Sequence, residues 1–161
     1  MRNLDMYDFV ICDIDDTLIH GPWTNLMKLT WTLFKSRAIA LVLMKLQDKL
    51  NLYKVNSKLA FGLATHDCNI VFLTVRTPDK STYNVVDKIC KRYGIDYHRW
   101  ELVSLNSGDG VTDKANWVAD NILDRGYSCI AFDDDPNIRE GLRFMDVLTV
   151  DPKIYLEKQI G

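Results

Sequence analysis

Residues 7–18 read YDFVICDIDDTL, a short apolar run that ends in three carboxylates and a hydroxyl. An apolar run of this length is typical of a strand buried inside a parallel sheet. The carboxylates of Asp13, Asp15 and Asp16 repel one another at close range and lose hydration unless a cation lies among them. A hard divalent ion that takes oxygen ligands meets this need, and we expect Mg²⁺ as the cofactor.

A second acidic cluster follows another apolar run, at residues 129–135, which read CIAFDDD. Parallel strands end at one edge of a sheet, and open α/β sheets place their active sites there. We therefore expect Asp133 and Asp134 to meet Asp13 and Asp15. One member of the pair Asp133 and Asp134 would bind the metal directly, and the other would lie beside it as a hydrogen-bonding neighbour.

Strands and helices alternate along the chain. Apolar runs predict strands at residues 7–12, 70–74, 102–103, 129–132 and 147–150. Helical patterns occupy residues 23–34, 37–52, 57–64, the stretch from the turn at 77–79 to residue 93, 112–125 and 136–144. This order predicts an α/β fold, a doubly wound parallel sheet with right-handed crossovers. Residues 1–19 and 67–161 would form its core, and residues 20–66 a small helical insertion after the first strand.

Residues that commonly cap helices precede three of the predicted helices. We expect Asn56 or Ser57 to cap the helix over 57–64, and Thr112 or Asp113 to cap the helix over 112–125. Asp135 precedes a proline, which favours the first turn of a helix, so Asp135 is expected to cap the helix that begins there.

The chain has 161 residues, of which 47% are hydrophobic, enough for one domain with a substantial core and one modest insertion. Its formal net charge is −2, but residues 18–66 hold seven basic residues and one acid, so this segment carries +6 and the remainder −8. A basic module beside an acidic body suggests an anionic substrate that is brought to a metal site. Apolar residues cover more than one face of the insertion, so it must pack on itself or act as a lid, a homodimer interface or a membrane-surface contact.

The four cysteines form no CxxC pair, and reduced thiols in a cytoplasmic protein fit this pattern best. The N-terminus has no apolar stretch of the kind found in a signal peptide. The apolar run at 38–44 is closed by Arg37 and Lys45 far short of a bilayer span, so we expect no transmembrane segment.

Three further residues lie where a predicted strand ends or a helix begins. Thr74 ends a strand, Arg76 follows it by two residues, and Lys114 stands in the first turn of a helix, where a bound anion would offset its unfavourable interaction with the helix dipole. With Asp13 and Asp15 they supply what phosphoryl transfer needs. One carboxylate attacks, a second moves a proton, and a hydroxyl and two cations bind the phosphoryl oxygens.

The sites resemble, in order, four motifs of the haloacid dehalogenase superfamily of phosphohydrolases. The matching stretches are residues 13–17 (DIDDT), residues 73–74 (LT), Lys114 and residues 132–134 (FDD). The resemblance spans residue 7 to about residue 150, nearly the whole chain. It implies that the Thr of the second motif and the Lys of the third hold the phosphoryl oxygens.

The same resemblance implies roles for the acidic residues. Asp13 would be the nucleophile that forms an aspartyl-phosphate. Asp15 would act first as general acid and then as general base, with its backbone carbonyl on Mg²⁺. Asp134, or failing that Asp133, would complete the metal site. The insertion lies where family members carry a mobile cap that closes over the substrate.

Residues 74–97 and 133–136 also resemble the phosphatase half of polynucleotide kinase–phosphatases and small phage-type phosphatases related to them. Two positions depart from these patterns, because Asp16 stands where the superfamily often has Gly and Asp135 where the polynucleotide relatives often have Arg. The kinase half is absent, since the sequence has no GxxxxGK[ST] loop. The resemblance implies a phosphomonoesterase acting on a nucleotide or a nucleic-acid end, as a polynucleotide 3′-phosphatase or a deoxynucleotide 5′-phosphatase. A sugar phosphate is the alternative substrate.

Two other classes of function use similar residues. A response-regulator-like phospho-acceptor domain also has an acidic Mg²⁺ pocket, a Thr and a Lys. That domain places its Lys at the end of a late strand, whereas Lys114 precedes the last acidic strand. The other class is a binding or membrane-associated protein that kept the fold without catalysis, and the presence of both Asp13 and Asp15 argues against it.

Overall fold

The computed structural model describes residues 4–22, 37–105 and 109–153. The strands are, in chain order, β1 (Phe9–Cys12), β2 (Ile19–His20), β3 (Lys54–Val55), β4 (Asn69–Thr74), β5 (Trp100–Ser104), β6 (Cys129–Phe132) and β7 (Leu148–Val150). The α-helices are α1 (Arg37–Lys49), α2 (Ser57–Thr65), α3 (Lys80–Tyr93), α4 (Gly110–Asn121) and α5 (Pro136–Arg143). Short 3-10 helices lie at Leu4–Met6, Tyr97–Arg99 and Leu123–Arg125.

Five strands form a parallel sheet in the order β5-β4-β1-β6-β7. The chain first builds outward from β1 through β4 to β5, and then returns to build β6 and β7 on the other side of β1. The strand order therefore reverses at β1, and the crevice at the carboxyl end of that strand is where open α/β sheets bind ligands. In the register, Cys12 lies opposite Phe72 of β4 and Phe132 of β6, so β1 and β6 end at the same height and β4 extends two residues further.

The sheet is covered by helices on both faces because its central strands are apolar on both sides. Val10 and Cys12 of β1 face a core cluster that α2 and α3 complete, whereas Ile11 faces a second cluster completed by α4 and α5. β4 and β6 repeat the same alternation of one residue to each face. The sequence-based prediction of an α/β fold with a parallel sheet between helices is confirmed.

Side-chain caps set the starts of four helices. The side chains of Asn56, Asp79, Asp109 and Asp135 accept hydrogen bonds from backbone N–H groups in the first turns of α2, α3, α4 and α5. The predicted caps Asn56 and Asp135 are confirmed. The expected start at Thr112 or Asp113 is wrong by one turn, because Asp109 supplies the cap.

Other differences concern the ends of elements and one pair of strands. The predicted strand at 102–103 extends over five residues as β5. The helix expected to run to residue 125 ends at Asn121 and is followed by a 3-10 turn that closes at Gly126, whose φ of 79° lies in the left-handed region. Two-residue strands β2 and β3 form a small antiparallel pair that the sequence pattern did not predict. The helix predicted over 23–34 lies outside the described residues.

The described part of the segment 20–66 is attached to the sheet domain at both ends. β2 pairs with β3, which brings residues 19–20 and 54–55 together. Leu59 and Leu63 of α2 belong to the same core cluster as Val10 and Cys12 of the central strand. The predicted boundary of the insertion at residue 66 stays a prediction. Among the described residues, none of the helices combines the length and the apolar character needed to cross a bilayer.

Candidate active site

The carboxyl end of β1 carries Asp13 into the crevice where the strand order reverses. The backbone N–H of Asp13 donates to the carbonyl oxygen of Phe132 at 2.9 Å, which continues the pairing of β1 with β6 past the last strand residue. Asp133 follows directly on β6, so the register brings Asp13 and Asp133 side by side. The two acidic stretches that the sequence pattern singled out do meet at one edge of the sheet.

Lys114 lies between these two carboxylates. Its Nζ donates to Oδ1 of Asp13 at 2.6 Å and to Oδ2 of Asp133 at 2.7 Å, and all three side chains are buried. α4 delivers the lysine, because its cap at Asp109 starts the helix early enough to place Lys114 in the second turn, facing the crevice. We refer to Asp13, Lys114 and Asp133 as the lysine triad.

Charge in the lysine triad is only partly balanced. Burial raises the pKa of Asp13 to about 8; Lys114 opposes the shift, and the carboxylates of Asp133 and Asp15 add to it. Burial works to lower the pKa of Lys114, but the charges of Asp13 and Asp133 outweigh it, so the pKa of Lys114 lies above its usual range. The ammonium is therefore firmly protonated, yet it does not by itself compensate the buried negative charge.

A third carboxylate joins the triad. Oxygen atoms of Asp13, Asp133 and Asp134 all lie within 4.8 Å of one another, a spacing that one metal ion can bridge. Three carboxylates beside one ammonium leave two negative charges, which suits a divalent cation, and an all-oxygen donor set suits a hard one such as Mg²⁺. The residues present thus fit the expected cofactor.

The two aspartates after β6 differ in what already holds them. Oδ2 of Asp133 accepts from Lys114, and Oδ1 accepts from the backbone N–H of Asp135 at 2.9 Å. Arg139 of α5 donates to the backbone carbonyl of Asp133 at 2.7 Å and also pairs with Asp151 at 3.2 Å. Both oxygens of the Asp133 carboxylate therefore accept hydrogen bonds from the protein, and the neighbouring Asp134 is half-buried.

Arg76 forms a second ionic cluster with Asp15 and Asp48. Its Nε and Nη2 donate to the two carboxylate oxygens of Asp15 at 2.8 and 2.6 Å, and its Nη1 donates to Oδ2 of Asp48 at 2.7 Å. The arginine side chain is only 1% exposed, and that of Asp15 is 29% exposed. We refer to Asp15, Arg76 and Asp48 as the arginine triad.

Burial and the neighbouring charges shift the pKa values of Arg76 and Asp48 in the arginine triad. Burial works to lower the pKa of Arg76, but Asp15 and Asp48 outweigh it, and the net shift is upward. Burial raises the pKa of Asp48; Arg76 opposes that shift, and Asp15 adds to it. The arginine is permanently charged, and it links a carboxylate after β1 to one on helix α1.

The backbone around Arg76 is fixed by two hydroxyl groups. The Thr74 side chain is buried at the end of β4, and its Oγ1 accepts from the backbone N–H of Arg76 at 3.2 Å. The Ser104 hydroxyl, at the end of the neighbouring strand β5, donates to the backbone carbonyl of Arg76. Thr74 and Arg76 lie where the sequence predicted them, but the described contacts of the Arg76 guanidinium are carboxylates. Its role as a phosphate ligand stays a prediction.

The loop after β1 turns back on itself immediately behind the nucleophile candidate. Asp16 has φ of 59°, in the left-handed region, and its backbone N–H donates to the carbonyl of Ile19 at 2.8 Å. Asp residues tolerate this conformation better than most, though glycine adopts it at lower cost. The left-handed conformation at Asp16 is therefore one that glycine would adopt without a side-chain penalty.

The sequence analysis does not identify three residues whose hydrogen bonds hold site residues in place, namely Asp48, Ser104 and Arg139. A sequence pattern could have pointed to one of them. Asp48 is the one acid among seven bases in residues 18–66, an isolated charge whose sign opposes its surroundings. The other two are ordinary in a strand and a helix, and only the three-dimensional arrangement identifies them.

Comparison of the chain with protein-family models, with curated proteins and with solved structures gives no match in any of the three.

Proposed function

We propose that the protein is a Mg²⁺-dependent phosphomonoesterase that acts through an aspartyl-phosphate on Asp13. The observation that carries the proposal is the lysine triad with Asp134 beside it. A carboxylate and an ammonium lie in contact at a sheet edge, and further carboxylates are positioned to share a cation. Nucleophile, phosphoryl-oxygen donor and metal ligands are the parts that phosphoryl transfer requires.

The first half of the reaction transfers the phosphoryl group to the protein. A carboxylate oxygen of Asp13 attacks phosphorus, the bond from phosphorus to the ester oxygen breaks, and the leaving oxygen takes a proton from Asp15. Lys114 donates to the phosphoryl oxygens, and Thr74 offers a hydroxyl from the end of β4. In the second half, water loses a proton to Asp15 and attacks phosphorus, which releases phosphate and frees Asp13.

Asp15 must give up a contact to serve as the acid. Both of its oxygens accept hydrogen bonds from Arg76, so one of these bonds lengthens when the carboxyl group carries a proton. Its 29% exposure leaves a side of the carboxyl group open to the crevice. The arginine therefore holds the group in one orientation while the other face remains accessible to a leaving group.

We propose a metal site formed by the carboxylates of Asp13 and Asp134 and the backbone carbonyl of Asp15, with Asp133 beside them. Of the Asp133–Asp134 pair we propose Asp134 as the direct ligand, or failing that Asp133, since both offer a carboxylate oxygen within 4.8 Å of one on Asp13. A bound Mg²⁺ supplies positive charge that offsets the charge on the phosphoryl oxygens.

The proposed substrate is a nucleotide or a nucleic-acid end, and a sugar phosphate is the second choice. Support comes from the +6 charge of residues 18–66, which adjoin the acidic crevice through α1 and the β2–β3 pair. We propose that this segment acts as the cap over the substrate.

Hydrolysis of p-nitrophenyl phosphate in the presence and absence of Mg²⁺ tests the proposal. Asp13→Asn is expected to lower kcat by more than about a thousandfold, since it removes the nucleophile. Asp87→Asn, which alters a surface ion pair with Lys91 on α3, is the matched control and should behave as wild type. Equal activity in Asp13→Asn and wild type would refute the proposal.

The same preparation separates an enzyme from a phospho-acceptor domain. Treatment with acetyl phosphate followed by mass spectrometry measures how long the phosphoryl group stays on Asp13. An enzyme releases it within its turnover time. Persistence over hours would instead favour a signalling domain of the response-regulator kind.

A further inference from the structure

Arg76 is buried more completely than a side chain of its size and charge normally is. It is 1% exposed, although arginine is almost never fully buried unless it is paired. The guanidinium is planar and rigid, and contacts on three of its nitrogens fix both its position and its plane. Two of those nitrogens hold Asp15, and the third holds Asp48.

Asp48 reaches the site from a different part of the chain. It lies near the end of α1, within the segment 20–66, and is 6% exposed. Its Oδ2 also accepts from the hydroxyl of Ser81 at 3.2 Å, and its Oδ1 is buried with no hydrogen-bond partner among the described residues. A second polar contact, from Lys45 of α1 to Asp79 at 3.1 Å, joins the same helix to the start of α3.

Stability alone does not account for this arrangement. Burying two carboxylates and a guanidinium costs hydration that their mutual attraction only partly returns, and apolar replacements of such clusters are often neutral or stabilising. The orphaned Oδ1 of Asp48 adds to the cost. What the cluster does provide is geometry: with its Nη1 fixed by Asp48, the guanidinium presents its Nε and Nη2 edge to Asp15 in one plane.

We propose that Asp48 is a positioning residue for the reaction. It fixes Arg76, and Arg76 in turn orients the carboxyl group of Asp15 toward the leaving oxygen. This inference rests on the proposed function and deepens it, because it makes α1 of the inserted segment part of the proton-transfer machinery. Asp48 itself touches neither the substrate nor the reacting atoms.

The proposal predicts a specific dependence on the leaving group. When the phosphorus–oxygen bond of phenyl phosphate breaks, the departing oxygen needs the proton from Asp15. The p-nitrophenolate ion leaves readily without one. A misoriented Asp15 therefore slows the hydrolysis of phenyl phosphate far more than that of p-nitrophenyl phosphate. A loss of folded protein lowers both rates by the same factor.

The experiment measures kcat/KM for a series of substituted phenyl phosphates, which reports on the steps up to phosphoryl transfer to Asp13. In Asp48→Asn, which keeps the shape and removes the charge, kcat/KM for phenyl phosphate should fall about tenfold to a hundredfold. The value for p-nitrophenyl phosphate should change by less than about threefold. Asp48→Glu, which restores the charge, should recover part of the loss, and Asp87→Asn should leave the series unchanged.

Ser81→Ala provides a milder variant, because it removes only the hydroxyl that holds Asp48. It should lower kcat/KM for phenyl phosphate more than for p-nitrophenyl phosphate, by a smaller factor than Asp48→Asn does. If circular dichroism shows that Asp48→Asn is not folded, Ser81→Ala becomes the variant that decides the test. Equal losses across the series, or no loss, would overturn the positioning role while the Asp13-dependent activity of the wild type stands. A wild-type chain without Asp13-dependent activity would overturn the proposed function and this inference with it.

Discussion

Replacing Lys114 by methionine tests whether the lysine triad is as tightly coupled as its geometry indicates. Methionine has nearly the length of the lysine stem and is apolar, so the substitution removes the ammonium without leaving a large cavity. The carboxylates of Asp13 and Asp133, which lie 2.6 and 2.7 Å from that ammonium, are then left buried beside each other and the carboxylate of Asp134. We expect the folded state to lose stability sharply.

The size of this expected loss in stability follows from the two contact distances and from the burial of the three side chains. At an effective dielectric constant of about 20, each of the two contacts amounts to roughly 6 kcal/mol of attraction. Desolvation of the ammonium offsets several kcal/mol of this sum. Because burial raises the pKa of Asp13 to about 8, Asp13 is largely protonated at neutral pH, and its contact with Lys114 gives less than the full attraction of an ion pair. The net loss in the free energy of unfolding is about 3–5 kcal/mol, as for other buried ion pairs from which one partner is removed.

Urea unfolding at neutral pH, with the metal removed by a chelator, measures this loss directly. Lys91→Met is the matched control, because Lys91 also donates to an aspartate, Asp87, at 2.8 Å, but on the exposed face of α3. The unfolding midpoint should move far toward lower urea in Lys114→Met and hardly at all in Lys91→Met. Equal midpoints in the two variants would show that Lys114 does not lie between buried carboxylates.

Three further outcomes follow from the same structure. Burial raises the pKa of Asp13 from 3.8 to about 8, so its protonation stabilises the metal-free fold fully below the unfolded-state pKa, and this contribution is lost as the pH rises toward 8. Asp13 should lower the unfolding free energy by about 1.4 kcal/mol per pH unit in that window, and this contribution to the slope should be absent in Asp13→Asn. At the left-handed φ of 59°, Asp16→Gly should be more stable than Asp16→Ala by about 1 kcal/mol in thermal unfolding. Asp79→Ala removes the cap that accepts from Thr82 at 3.0 Å and should cost about 1 kcal/mol in urea unfolding.

The sheet and the lysine triad could be predicted because their signals are local. β1 and β6 are uninterrupted apolar runs followed at once by Asp13 and Asp133, and the apolar run at residues 70–73 of β4 is followed by Thr74. The parallel arrangement carries these polar residues to a common edge. Lys114 was assigned to the first turn of its helix, and the earlier start at Asp109 moves it deeper without removing it from the crevice. An error of one turn at the helix start therefore left the identity of the site residue unchanged.

The arginine triad could not be predicted, because its members meet only through tertiary packing. The sequence predicts that Arg76 binds phosphate, because a guanidinium beside the hydroxyl of Thr74 can hold a phosphate group. Its partner Asp48 lies 28 residues earlier on a helix whose docking against α3 has no sequence signature. Sequence patterns place residues on elements, but they do not say which buried charges will pair across elements.

The two triads divide the site between two parts of the chain. In the lysine triad every member belongs to the sheet domain: Asp13 follows β1, Asp133 follows β6, and Lys114 lies on the helix that precedes β6. The arginine triad instead joins the loop after β1 and the end of β4 to α1 of the inserted segment. Asp13 and Asp15 are held by different partners, because Lys114 donates to Asp13 whereas Arg76, which Asp48 contacts, donates to Asp15. If the proposed function holds, Asp48 on α1 thus bears on the proposed acid Asp15, and the lysine triad bears on the proposed nucleophile Asp13.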